Sequence, residues 1–397
     1  MNILHVVNIS FVIPYFLGDQ LNWFRQKGHE EFVVCSESPE LEKFSKQFGF
    51  QYKAVEVLRK ISVLKDIQAV ISIARYCREV KADIVTGHTP KGGLVAMVAA
   101  YITRVPIRIY FRHGLVYETS HGLKRTLLIN IDRLTSRLAT RIVCVSPSVA
   151  QRSLEDHLNP SSKQTLLANG TCNGIDVARF CRNHIEESRL QVLKDELHIN
   201  HEDFIIGFTG RLVRDKGIVE LVRAYRAFRQ KYPNVKLLLV GMPELRDALP
   251  DDVMNAIQED DHIIKTGYIE YSKIEYYYAL MDIYVLASYR EGFPTSVLEA
   301  SSMELSVITT KVTGCVDSII DNKTGLFVGH HSDELMHAIE TLYLDKEKRR
   351  TLGVNGRHFV LENFRQEDIW QEIEKLYEDT NNGSSRVSGY KPGKSTL

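Results

Sequence analysis

The run Gly210-Arg211-Leu212-Val213-Arg214-Asp215-Lys216-Gly217 follows an apolar stretch and leads into an amphipathic one. Backbone N–H groups at a helix N-terminus favour an anion. Arg211 and Lys216 could clamp two phosphates there, one through a bidentate fork and the other as a point charge. The run also reads as a plain strand-to-helix turn with solvated basic residues. A second run, Tyr289-Arg290-Glu291-Gly292-Phe293-Pro294-Thr295-Ser296-Val297-Leu298-Glu299, again comes after an apolar stretch. Gly292 and Pro294 keep Glu291 on a loop, while Thr295 and Ser296 open a helix that carries Glu299 about one turn in. Two carboxylates accept hydrogen bonds from pairs of hydroxyls. A ligand with polyol ends around a diphosphate, a nucleotide sugar, therefore suits both runs together. The plainer alternative is a capped helix with exposed glutamates.

These loops need strands and helices behind them. Strands are predicted over 3–7, 31–35, 83–88, 107–111, 141–145 and 164–168, with helices over 16–28, 63–80, 91–103 and 147–157. Ser146 is the N-cap of the last helix and Pro147 its first residue. The polar stretch 179–203 has no strand pattern and reads as a connection. The rhythm restarts with strands over 204–209, 235–240, 262–266, 283–287 and 306–309, and helices over 216–232, 272–279 and 295–304. Three more helices follow, over 332–343, 345–362 and 366–378. Continuous apolar strands between helices imply parallel sheets covered on both faces, an α/β fold. The expected division is a domain over 1–178, a linker over 179–203 and a second domain over 204–363. A closing helix over 364–379 packs back on the first domain, and 380–397 has the composition of a disordered tail. Ligands of such sheets bind at the carboxyl ends of the strands, where both loops sit.

The chain has 397 residues and no net charge, with 25% charged residues. The balance hides an asymmetry: 23 basic against 15 acidic residues through Cys181, and 27 against 35 after it. The basic half is expected to face something anionic, a phosphate-bearing substrate or a membrane surface, and no nucleic acid is expected as a partner. Six cysteines form no Cys-x-x-Cys pair and fit buried reduced thiols of the cytoplasm. The uncharged residues 1–18 lack a basic start and a cleavage site and read as a first strand with its loop. Arg59, Lys60, Lys65, Arg75 and Arg78 surround one apolar-faced segment; Lys124, Arg125, Arg133, Arg137 and Arg141 surround another. Such basic amphipathic helices are solvated faces or weak docking sites for an anionic leaflet.

Glu-x7-Glu enclosing Gly-Phe-Pro, preceded by the Gly-Arg…Lys-Gly loop, resembles the retaining, metal-independent GT-B glycosyltransferases of family 4. Asn173-Gly174-Ile175-Asp176, Gly267-Tyr268-Ile269, Thr313-Gly314-Cys315-Val316-Asp317 and Gly325-Leu326-Phe327-Val328 match in order, so the likeness spans about residues 1–377. It implies two Rossmann-like doubly wound domains facing across a cleft. By the same resemblance Arg211 and Lys216 hold the donor diphosphate, with the backbone of Phe293, Pro294, Thr295 and Ser296 near phosphate and sugar. Glu299 takes the ribose hydroxyls, Glu291 hydroxyls of the transferred sugar, and the backbone at Tyr268 and Ile269 the nucleobase. His113 aligns with the family's histidine beside the reacting sugar. The stretch His88-Thr89-Pro90-Lys91-Gly92-Gly93 and the loop 8–18 resemble the subgroup that builds bacterial surface glycans on polyprenyl diphosphate. That places Asn8, His88, Thr89 and Lys91 toward the acceptor. The first loop departs from the commoner pattern, since Gly18 is its only glycine.

The activity so implied is retaining transfer of an N-acetylhexosamine from a UDP-sugar to a polyprenyl-diphosphate-linked glycan, with Glu291 a binder of sugar and not a nucleophile. The expected setting is the cytoplasm at the inner face of the cell membrane, with peripheral contact to anionic lipid. No metal or other cofactor is expected. The chain contains no Asp-x-Asp, and Arg211, Lys216 and the helix N-terminus after Pro294 would offset charge building on the departing diphosphate. A nucleotide-sugar epimerase of the same shape and a non-catalytic nucleotide-binding module share most of these features. A dinucleotide module would want Gly-x-Gly-x-x-Gly after the first strand, which is missing here.

Overall fold

The computed structural model describes residues 1–59, 62–244 and 247–381. The chain forms two compact units, one of Met1–Gly174 completed by residues from Glu367 onward, the other of Ile175–Gln366. The first is built on seven strands: β1 (Asn2–Val6), β2 (Glu30–Cys35), β3 (Gln51–Ala54), β4 (Ile84–His88), β5 (Ile107–Arg112), β6 (Arg141–Cys144) and β7 (Gln164–Leu166). All pair parallel, in the order β3-β2-β1-β4-β5-β6-β7. The second has six: β8 (Phe204–Thr209), β9 (Val235–Val240), β10 (Ile263–Gly267), β11 (Ile283–Leu286), β12 (Ser306–Thr310) and β13 (Gly325–Val328), ordered β10-β9-β8-β11-β12-β13 and again parallel. Both orders are doubly wound. The topological switch points fall between β1 and β4 and between β8 and β11, and the loops leaving those strands are where such sheets hold ligands.

Helices cover the sheets at close range where glycine allows it. In the helix Pro90–Ile102, a Cβ on Gly93 would come within 2.5 Å of the Tyr110 ring on β5, and one on Gly87 of β4 within 2.8 Å of the Gly93 Cα. The helices Val63–Glu79, Pro90–Ile102 and Gly122–Leu138 lie side by side on one face of the first sheet. The helix Gln366–Asn381 closes the same unit. Trp370 Nε1 donates to Asn173 Oδ1 at 2.8 Å, Lys27 pairs with Glu374 at 2.5 Å, and the Phe24 and Tyr377 rings lie 5.4 Å apart.

Several elements differ from the sequence expectation. The helix expected over 16–28 is two, Ile13–Phe16 and Gln20–Gln26. They are separated at Gly18, whose φ of +49° and 2.7 Å Cβ approach to the Pro14 carbonyl oxygen interrupt the helix. The helices Pro39–Phe48 and Asp251–Glu259 and the strands β3 and β13 were not anticipated; β3 is exposed along its whole length and so lacks an apolar signature. The stretch 179–203 is no free linker. It holds the helix Glu187–Glu196 and belongs to the second unit. Phe180 is fully buried there, Arg179 pairs with Glu275 at 2.6 Å, and the Arg182 guanidinium donates to the carbonyls of Met303 and Met281. The chain thus passes from one unit to the other after Gly174 and back after Gln366. The closing helix runs on to Asn381, past the expected start of the tail; 382–397 and Lys60 lie outside the described residues. All six cysteines are free, five of them buried. No helix of the described residues is long and apolar enough to cross a membrane.

Candidate functional site

In the second unit, β8 ends at Thr209 and its loop closes in the turn Arg214–Lys216, followed by Gly217 at φ +70°. Glycine is required here, because a Cβ would lie 2.0 Å from the carbonyl oxygen of Ala287 in the loop after β11. Gly241, at the end of β9, similarly leaves no room for a Cβ against the Gly210 carbonyl oxygen at 1.8 Å, nor Gly314 against that of Gly292 at 2.5 Å. The loops after β8, β9 and β11 and the turn at Gly314 are therefore pressed together at backbone distance.

That packing brings the predicted residues onto one another. The Lys216 ammonium pairs with Glu291 Oε1, which also accepts from Ser288 Oγ at 2.7 Å; both charged side chains are mostly buried. Arg211 is held by Glu244 at 2.8 Å while keeping 40% of its side chain exposed. Arg290 pairs with Asp215 at 2.6 Å and ties the two loops together. Pro294 precedes the helix Thr295–Ser302, whose N-terminus carries no side-chain cap. Phe293 and Pro294 are buried, with Thr295 and Ser296 partly open. Glu299 lies 4% exposed on that helix and accepts from Tyr278 Oη at 2.7 Å. Burial pushes its carboxyl up to about 7, against the Tyr278 hydroxyl bond and the Arg179 charge that pull it down. Tyr278 in turn meets Thr209 Oγ1 at 2.8 Å. Tyr268 and Ile269 follow β10, at the sheet edge, two strands from the switch point. Sequence reasoning missed Tyr278, Thr209, Ser288 and Glu244, which orient three of the four predicted charges, Arg211, Glu291 and Glu299. A tyrosine within an aromatic-rich helix and a strand-end threonine leave no signal short of the fold.

In the first unit, His113 directly follows β5 and is half-buried as a residue, with Phe16 stacked on its ring at a centroid distance of 3.8 Å. Burial pushes its imidazole down to about 3, so it is neutral at any ordinary pH. The residues assigned toward an acceptor are engaged structurally. His88 is 1% exposed and bonds His113 through Nδ1 at 3.0 Å; Asn8 is buried. Thr89, at φ +66°, caps the next helix by accepting from Gly92 N at 3.2 Å, and Lys91 pairs with Asp66. Of these, His88, the last residue of β4, is the one bonded to His113.

Two parallel sheets of doubly wound order, with basic and acidic side chains gathered in the loops at the second switch point, define the class: a GT-B glycosyltransferase fold. The family described as "Glycosyltransferase Family 4" matches residues 16–179 and "Glycosyl transferases group 1" matches 191–359. The chain is 32% identical over 378 residues to the capsular polysaccharide biosynthesis glycosyltransferase CapM of Staphylococcus aureus, covering 94% of this chain and 96% of that one. It is 22% identical, over 93% of its own length and 95% of the relative's, to the Escherichia coli UDP-Gal:alpha-D-GlcNAc-diphosphoundecaprenol alpha-1,3-galactosyltransferase. Anabaena Alr3699/HepE, solved with UDP and glucose, shares the fold at a TM-score of 0.80 and 18% identity, covering 95% of this chain and 99% of that one. The chain belongs to the family 4 glycosyltransferases.

Proposed function

We propose that the protein is a retaining, metal-independent glycosyltransferase that moves a sugar from a UDP-sugar, an N-acetylhexosamine by preference, to a polyprenyl-diphosphate-linked glycan in surface polysaccharide assembly. The observation that carries this reading is the Lys216–Glu291 pair at the switch point of the second sheet, flanked by Arg211 and an uncapped helix N-terminus. A cationic clamp receives the diphosphate there, and carboxylates on either side of the helix start receive sugar and ribose hydroxyls. The relatives named for capsule and for diphosphoundecaprenol substrates, and the neighbour solved with UDP, support the donor and acceptor classes.

In this reading Arg211 and Lys216 offset charge as the diphosphate leaves, and the acceptor hydroxyl attacks from the leaving-group side, its proton passing to a diphosphate oxygen. Calorimetric titration with UDP, GDP, ADP and NAD in EDTA tests the donor site, followed by transfer from UDP-N-acetylhexosamines to a lipid-linked acceptor in the same buffer. Selective UDP binding that weakens in Arg211→Ala, with transfer undiminished by EDTA, is expected. Turnover that needs added metal would remove the metal-independent part. Donor conversion without acceptor would point instead to an epimerase, and NAD binding to a nucleotide module.

Membrane contact belongs to the same proposal. In the first unit Val63, Leu64, Ile67 and Ile71 are 45% to 77% exposed along one helix, and Leu123, Leu127 and Leu134 47% to 90% along another. Exposed Lys65, Arg75, Arg78, Lys124 and Arg137 surround them. Each helix links parallel strands, so its N-terminal end, with Leu64 and Leu123, lies at the carboxyl edge of the sheet where His113 sits. An apolar face ringed by basic residues fits an anionic leaflet, at about 1 kcal/mol per basic residue near the surface. Leu64→Glu with Leu123→Glu is expected to abolish sedimentation with phosphatidylglycerol vesicles and leave calorimetric UDP binding intact. Undiminished sedimentation would exclude this face.

A further inference from the structure

A chain of buried polar side chains crosses the first sheet and ends on His113. Glu31 Oε2 meets His5 Nε2 at 2.8 Å, His5 Nδ1 meets Thr86 Oγ1 at 2.7 Å, Thr86 Oγ1 meets His88 Nε2 at 3.0 Å, and His88 Nδ1 meets His113 Nε2 at 3.0 Å. Glu31, His5, Thr86 and His88 are each no more than 2% exposed. The pattern follows from register. His5 on β1 lies directly opposite Thr86 on β4, while Glu31 on β2 stands opposite Ile3, the residue two before His5 and on the same face. Phe111 stacks on His88 at 4.6 Å and Phe16 on His113 at 3.8 Å, which fixes both ring planes.

Every joint in such a chain needs one donor and one acceptor, so the proton order at one end dictates that at the other. Glu31 has no ion-pair partner among the described residues except His5, and its other oxygen, Oε1, is buried without a hydrogen bond among them. Two proton orders satisfy every joint. One begins with a bare carboxylate at Glu31 and ends with Nε2–H on His113; the other begins with a Glu31–His5 couple that is neutral overall and ends with Nδ1–H. Only this second order leaves no net charge buried where an unpaired charge is costly. His5 Nδ1–H then donates to Thr86, the Thr86 hydroxyl donates to His88 Nε2, and His88 Nδ1–H donates to His113 Nε2.

We propose that Glu31, His5, Thr86 and His88 are positioning residues that hold His113 as the Nδ1–H tautomer, a neutral hydrogen-bond donor aimed at an oxygen of the reacting sugars. The order is opposite to the Nε2–H form that free histidine prefers, and no proton leaves the chain. His113 cannot compete by charging, since burial keeps its imidazole neutral. The kinetic arm of the test rests on the glycosyl-transfer reading above, whereas the spectroscopic arm does not.

The test is long-range proton–nitrogen correlation NMR on the full chain labelled with ¹⁵N-histidine, with His88→Gln and His113→Gln to assign the two rings. Wild type is expected to show both as Nδ1–H tautomers. Thr86→Val removes the hydroxyl while nearly keeping its shape, and is expected to return His113 to Nε2–H and lower kcat at least tenfold with donor KM within twofold. Thr86→Ser is expected to restore both. Glu31→Gln, whose amide can donate to His5 Nε2 as the protonated couple does, is expected to keep the tautomer and most of the rate. His113 found as Nε2–H in wild type, or an unchanged tautomer in Thr86→Val, would overturn the relay. Correct tautomers without transferase activity would leave the relay standing and remove the proposed function.

Discussion

Lys216→Ala is expected to lower kcat for sugar transfer by about 10²–10³, the cost of removing one preorganised charge from a developing anion, roughly 3–4 kcal/mol. In the proposed reading Lys216 has two tasks: its ammonium receives the leaving diphosphate, and it compensates Glu291, whose side chain is only 10% exposed. Its place is set by backbone, since Gly217 follows at a position where any Cβ would strike Ala287. Lys216→Arg is therefore not a rescue: a planar fork on a longer reach cannot occupy the point-charge position beside Glu291 and Ser288. Glu291→Gln is expected to lower the rate as well, and the double variant Lys216→Ala with Glu291→Gln should lose little more than the worse single one, because the pair acts as a unit. Intact-protein mass spectrometry of the wild type during turnover should show no glycosyl adduct, since Glu291 Oε1 is already engaged by both Lys216 and Ser288. An unaffected kcat in Lys216→Ala, fully additive losses, or a sugar-sized mass increment on Glu291 would each contradict this account.

How much of this was readable beforehand depends on range. Arg211, Lys216, Glu291 and Glu299 lie on two short runs with their own glycines and proline, so their types, spacing and strand-to-helix context announce them. The Rossmann rhythm is equally local, because a parallel buried strand is a continuous apolar run and its return helix is amphipathic. What escaped depends on register between distant strands or on exposure. Thr86 and His5 are 81 residues apart and meet only because β1 and β4 pair. Tyr278 meets Glu299 across a helix, a strand and a loop. The stretch 179–203 resembles a linker in sequence because its helix has a weak apolar face with Leu190 alone buried, and what anchors it, Phe180 and the two arginines, is scattered along the chain. Local pattern reveals the clamp; only pairing reveals what orients it.

Donor affinity is expected to rise about tenfold between pH 6 and pH 8, and Glu299 is the reason. A carboxyl pushed up to about 7 is largely protonated at the lower pH and largely ionised at the higher, and the ionised form accepts both hydroxyls of a ribose pair. A UDP-sugar has no titrating phosphate in this window, so the slope belongs to the protein. Stability runs the other way. The folded value lies above the ordinary 4.5, so between those two values the folded chain holds a proton the unfolded chain has lost, and stability falls as pH rises through that interval. The ionised, ligand-free carboxylate costs on the order of 3 kcal/mol once pH exceeds the folded value. Glu299→Gln should then unfold at a higher temperature than wild type at pH 8 without donor, bind UDP-sugar about tenfold more weakly there, and show a flat affinity profile from pH 6 to 8. Calorimetric titration and thermal melts at three pH values decide it. A profile that stays steep in Glu299→Gln would assign the titration to another group, and a variant no more stable than wild type at pH 8 would mean that Glu299 is not held desolvated in the free protein. The two expected slopes would share one origin: burial withholds solvent from the Glu299 carboxylate, and if ribose hydroxyls replace that solvent as proposed, part of the donor's binding energy goes to ionising Glu299 in place.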